Sequence, residues 1–160
     1  MLRSFKVVAA LLIGLIGSLA FLNNLFNINS ALFSVSAVIS APEQPYYKIF
    51  GPTFPAAWQA WLGLVIIMAG ELLAGVLGLV GAARLWKNRN ASAADFQLAK
   101  SLAVAGGAMG IVVWYGFFVI FGDLYFNMWQ TEIGLGSVNG AFKYGTVCAV
   151  LLFFIAMRDD

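Results

Sequence analysis

Between Ala56 and Lys87 the chain reads AAWQAWLGLVIIMAGELLAGVLGLVGAARLWK, with only Glu71 and Arg84 charged before the final lysine. Wound as a helix, this run separates Trp58 from Trp86 by roughly 40 Å, enough to cross a hydrocarbon core of about 30 Å with interfacial turns to spare. Trp58, Trp61 and Trp86 suit the aromatic belts at the two membrane surfaces. Glu71 then falls close to the bilayer midplane, about 20 Å along the axis from Trp58. A carboxyl group at that depth cannot face lipid cheaply. Gly75, Gly78 and Ala82 continue its helical face, and Gly70, Ala74 and Gly78 form an overlapping small stripe where another backbone can approach. Glu71 is therefore expected to point into a helix interface or a small polar cavity, either protonated or partnered.

Composition extends this reading to the whole chain. Hydrophobic residues make up 62% of the 160 positions and charged ones 10%, with a mean hydropathy of +0.89. A soluble domain of this size could not hide so much apolar surface, so the fold expected is all-α: one polytopic membrane domain, residues 1–160, whose solvent and first partner is lipid. A net charge of +2, concentrated at the ends of apolar runs, gives no basis for nucleic-acid binding. Cys148 is the single cysteine and histidine is absent, which excludes an intramolecular disulfide and the ordinary His/Cys metal or haem sites. No cofactor is expected. Without histidine, no nucleophile–base pair or phosphate-binding loop can readily be assembled, so an enzyme is the least favoured class.

Four spans are read, at about 6–26, 57–86, 101–121 and 141–157. The first follows a short basic start and could also describe a signal peptide with Ser18-Leu19-Ala20 at its cleavage site; a retained helix is favoured because Phe21, Leu22, Leu25 and Phe26 extend it. Ala10, Gly14 and Ser18 give it a packing stripe. Asn23, Asn24, Asn27 and Asn29 mark its polar far end and are read as caps and interfacial hydrogen-bonders. Segments 27–56 and 122–140 are read as loops forming a non-cytoplasmic cap. Within the first, residues 30–39 suit a short surface helix or strand, and the stretch after them holds all four prolines. Arg3, Lys6, Arg84, Lys87, Arg89, Lys100 and Arg158 fall on one side of this arrangement, seven of the nine Lys/Arg. The positive-inside rule then makes both termini cytoplasmic.

Two further residues share the depth of Glu71 within about a helical turn: Tyr115, 15 residues past Lys100, and Lys143, 15 residues before Arg158. Either could partner the acid, although Tyr115 is equally suited to filling core, and Lys143 lies about 200° around its helix from the small face of Gly145 and Ala149. In the expected cap, Asp123, Trp129 and Glu132 lie where headgroups begin, with Trp129 expected against Phe50 or Phe54; Asp123, Trp129 and Gln130 are candidate interaction residues.

Gly122-Asp123, Met128-Trp129-Gln130-Thr131 and Asn139-Gly140-Ala141-Phe142-Lys143 resemble motifs of a bacterial family of predicted small integral membrane proteins of unknown function. The similarity of plan covers essentially the whole chain, including the Pro-containing loop around Phe50-Gly51-Pro52-Thr53. It implies a four-helix protein of the bacterial inner membrane and supplies no substrate or catalytic residue. The functional expectation is an accessory or structural subunit packed in a larger membrane complex, or a homo-oligomer. The alternative is a small transporter, channel or proton-conducting protein working through Glu71, with Tyr115 and Lys143 beside it.

Overall fold

The computed structural model describes residues 2–42 and 44–159. The chain is an all-α polytopic membrane protein, and its four helices long and apolar enough to cross a membrane lie close to the apolar runs of the sequence. The first is α1 (Leu2–Phe26), followed after Asn27 by a shorter helix, α2 (Ile28–Ser40). The second crossing is α3 (Ala57–Lys87). The third begins with α4 (Ala93–Ala99), turns at Lys100, and continues as α5 (Ser101–Ile111) and a π-helical segment (Val112–Tyr125). A short 3₁₀ turn (Met128–Gln130) leads to the last crossing, α6 (Glu132–Ala156).

Glycine stripes decide the packing. A Cβ placed on Gly14 would lie 2.6 Å from the backbone nitrogen of Leu79, and one on Gly17 would lie 2.5 Å from that of Gly75, so α1 and α3 touch backbone to backbone. The adjoining side of α3, sharing Gly78, meets α5 in the same way: a Cβ on Gly81 would sit 2.5 Å from Ala103 N, and one on Gly106 would sit 2.7 Å from Gly78 N. In a membrane, where lipid tails are as apolar as leucine, such close approach is what holds helices together. The long helix is therefore the central one. α6 closes the bundle against the third crossing through Cys148 beside Gly110, and Trp114 and Tyr115 beside Gly145.

Segment boundaries differ from the sequence reading in three places. Residues 28–40 are helical, ending on Ala41 in the left-handed region (φ 43°) just before the prolines begin. The third crossing starts at Ala93, because Ser92 caps α4 by accepting from Asp95 N. The last helix starts at Glu132, nine residues before the expected 141, because the Thr131 hydroxyl accepts from Gly134 N and starts the helix there. The expected loop 122–140 is thus largely the end of one helix and the first turns of another.

The remaining connection folds over that helix pair. Gln130 saturates its side-chain amide on it: Oε1 accepts from Tyr46 N and Tyr47 N at 2.8 and 2.7 Å, while Nε2 donates to Tyr47 O and Gln44 Oε1 at 2.8 and 3.2 Å. Trp129 stacks on Tyr46 and leans on Tyr47 rather than meeting Phe50 or Phe54, whose ring partners are Tyr125 and Phe126. Tyr125 also donates its hydroxyl to Pro52 O at 3.1 Å.

Candidate functional site

Glu71 is buried, with 2% of its surface exposed, where α1 crosses α3. The glycines build this place. Gly17 sits so close to α3 that an added Cβ would come within 2.7 Å of Glu71 O, and Gly75 faces Ser18. Two turns further along α1 the same face presents Asn24, seven residues from Gly17. Its Nδ2 donates to both carboxyl oxygens of Glu71, at 3.0 and 2.9 Å. The acid is therefore satisfied by a neutral amide across the tightest helix pair of the bundle.

Neither partner expected from depth is used. Tyr115 shares a 2.7 Å hydrogen bond with Thr146 Oγ1 on α6, and Thr146 in turn donates to Phe142 O. Lys143 is exposed on the outer side of α6 and makes no hydrogen bond or ion pair among the described residues. Its depth does match that of Glu71: Gly70 packs on Val113, and Trp114 and Tyr115 pack on Gly145. Azimuth separates them, since Gly145 and Cys148 turn inward and carry Lys143 outward. Asp123 lies two residues before the end of the π-helical segment, and its buried Oδ1 has no hydrogen-bond partner among the described residues.

Asn24→Leu is expected to cost about 1–3 kcal/mol, the penalty of a buried polar group deprived of its partner. Glu71→Gln, which can still bond to Asn24, should cost less than half as much. Lys143→Met should leave the isolated protein unchanged. Unfolding by a denaturing detergent, followed by circular dichroism, checks all three; equal losses for Glu71→Gln and Asn24→Leu would show that the amide–carboxyl bond is not what matters.

A second polar cluster closes the opposite end of the bundle, where the basic residues gather. Lys6 is fully buried and Lys100 is 2% exposed. Both donate to Met157 O, at 2.5 and 2.6 Å, and both pair with Asp159 Oδ2; the Lys6 distance is 2.9 Å. Lys100 donates further to Gln97 Oε1 at 2.8 Å. Burial works against ionising Asp159, but hydrogen bonds and charge from Lys100 and Lys6 outweigh it and hold the carboxyl below its ordinary range. From sequence alone Lys6 and Lys100 read as topological charges. Lys6 did carry a signal, since it lies one turn before Ala10 on the packing stripe of α1.

An apolar cavity of about 480 Å³ lies among α2, α3 and the π-helical segment, walled by Val38, Trp58, Ile67, Phe117 and Phe121. Its few polar lining residues bond locally: Ser34 and Ser137 donate to carbonyls one turn back, and Gln59 Oε1 accepts from Ala56 N. What it offers a ligand is chiefly hydrocarbon contact.

Four apolar crossings among the described residues, joined by glycine-mediated contacts, define a small multi-pass integral membrane protein. The chain belongs to the DUF2165 family, described as predicted small integral membrane proteins, whose model matches residues 2–158. No curated protein and no solved structure matches it significantly.

Proposed function

We propose that this protein is an accessory subunit of a larger complex in the bacterial inner membrane, with both termini cytoplasmic, docking through the outer face of α6. The observation that carries this reading is Lys143, exposed at nearly the depth of Glu71 and unpaired among the described residues. A lysine at the centre of a lipid-facing helix costs about 2.5–3.5 kcal/mol on insertion scales, less whatever its flexible stem recovers by reaching outward. A neighbouring helix bearing an acidic side chain removes that cost.

The surrounding surface suits such a neighbour. Gly136, Gly140, Lys143, Val147 and Val150 repeat at alternating four- and three-residue spacing and form one stripe. A Cβ on Gly136 would meet nothing within 4 Å, and one on Gly140 only the Tyr144 ring at 3.9 Å, so these glycines are unused within the chain. A second copy is disfavoured on this face, because a two-fold contact would bring Lys143 against Lys143. The chain's own intramembrane acid is already engaged by Asn24.

Mild-detergent purification of the tagged protein should yield a stoichiometric membrane partner. Lys143→Met and Gly140→Leu should each reduce its recovery at least fivefold while leaving the subunit folded. A wild-type protein that is monodisperse alone and moves protons in liposomes would replace this reading with transport through Glu71.

A further inference from the structure

We infer that the basic end of the bundle holds the phosphodiester headgroup of an anionic membrane phospholipid, bound by Arg3, Arg89 and Arg158. These three guanidiniums line a pocket of about 470 Å³ together with Ser4, Asn90 and Asp159. The one acidic group among them does not oppose an anion, because Asp159 is already paired with both Lys6 and Lys100. The pocket is thus strongly positive, and its neutral side chains add a hydroxyl and an amide as further donors.

Two of the arginines are fixed before any ligand arrives. Arg3 donates from Nη1 to Ala91 O at 2.6 Å and to Arg89 O at 3.3 Å, and its guanidinium lies 4.9 Å from the centre of the Phe96 ring. Arg89 donates from Nη1 to Trp86 O at 2.8 Å and stacks 3.9 Å from the centre of the Trp86 ring. Each spends one nitrogen on being held and keeps the rest of its planar fork for a phosphate. Arg158 is exposed and makes no hydrogen bond among the described residues, so all five of its donors are available.

Location separates a lipid from a dissolved anion. The pocket is formed where α1 begins, just after α3 ends and just after α6 ends, which is the headgroup level for helices of this length. Leu2, Phe5 and Trp86 are exposed beside these arginines in the chain, at 52%, 56% and 52%, and offer apolar surface for the glycerol backbone and the first acyl carbons. A free phosphate would make no use of them.

The test is lipid retention by the full-length protein after detergent exchange, read by native mass spectrometry with phosphatidylglycerol, phosphatidylcholine or inorganic phosphate added. Phosphatidylglycerol should be retained at about one molecule per chain, at least fivefold more than phosphatidylcholine. Arg158→Gln, which removes no hydrogen bond or ion pair among the described residues, and Arg89→Gln should each lower that retention severalfold. Lys87→Gln, an equal loss of charge at the exposed end of α3 outside the pocket, should not. Equal loss in Lys87→Gln would overturn the site in favour of diffuse attraction. Equal retention of phosphatidylcholine, or displacement of the lipid by millimolar inorganic phosphate, would overturn the anionic-lipid assignment.

Discussion

Gly78→Leu will prevent the bundle from assembling. Gly78 lies between two neighbours: a Cβ there would sit 2.5 Å from Gly14 N and 2.6 Å from Gly14 Cα on α1, while a Cβ on Gly106 of α5 would come within 2.7 Å of Gly78 N. The obstacles are backbone atoms, which cannot rotate out of the way as a side chain can. Ordinary overpacking in a core costs about 1–3 kcal/mol because neighbours yield. Here relief requires separating α1 or α5 from α3, with loss of the packing that substitutes for hydrophobic attraction inside a membrane. An effect above about 3 kcal/mol is expected for leucine, against the stability of about 5–15 kcal/mol typical of folded domains. Gly136→Leu is the matched control, because a Cβ there meets nothing within 4 Å. Detergent-resistant helicity and monodispersity should be lost in the first variant and kept in the second. Intact assembly of Gly78→Leu would mean that these helices pack differently.

The contrast between these glycines explains how much was legible in the sequence. The spans follow from length and apolarity, and the stripes of Ala10, Gly14 and Ser18 on α1 and of Gly70, Ala74 and Gly78 on α3 do lie at helix contacts. Depth was equally legible, which is why Glu71, Tyr115 and Lys143 were grouped. Azimuth decided against that grouping: the inward face of α6 is set by Gly145 and Cys148, and Lys143 lies well away from it. The sequence marks Asn24 as a hydrogen-bonder along with Asn23, Asn27 and Asn29 but not as the partner of Glu71; of the four, only Asn24 lies a heptad from Gly17 on the face that meets α3. EIGLGSVNG, at 132–140, resembles a loop in composition, which hides the first turns of the last helix. Its Thr131 cap and the Thr146, Gly145 and Cys148 contacts further along become informative only once a partner helix is in place. Nothing in VVWYGFFVIFGDLY announces a π-helical ladder in place of an α-helical one.

The ion cluster at the basic end gives the second large effect, and its sign pattern is specific. Lys6, Lys100 and Asp159 carry a net charge of +1 in a space almost closed to water, with both ammonium groups sharing Met157 O and Asp159 Oδ2. Asp159→Asn would leave two lysines facing each other without a counter-charge. Breaking a buried pair from one side costs about 3–5 kcal/mol, and the position of this cluster at the bundle end, where lysine stems can bend toward water, puts the expected loss near the lower limit. Lys6→Met should cost far less, because it leaves a neutral Lys100–Asp159 pair and adds an apolar side chain beside Phe154. Combined with Asp159→Asn, Lys6→Met should recover part of the loss, a coupling that independent sites would not show. Acid should reproduce the effect of Asp159→Asn in the unmodified protein. The Asp159 carboxyl is held below its ordinary value of 3.8, so its contribution is fully present above that value and is lost as the pH falls through the lowered one. Unfolding measured between pH 7 and pH 2 should therefore show an acid-labile component in the wild type that is missing from Asp159→Asn. An acid limb of equal size in both proteins would place the destabilisation elsewhere.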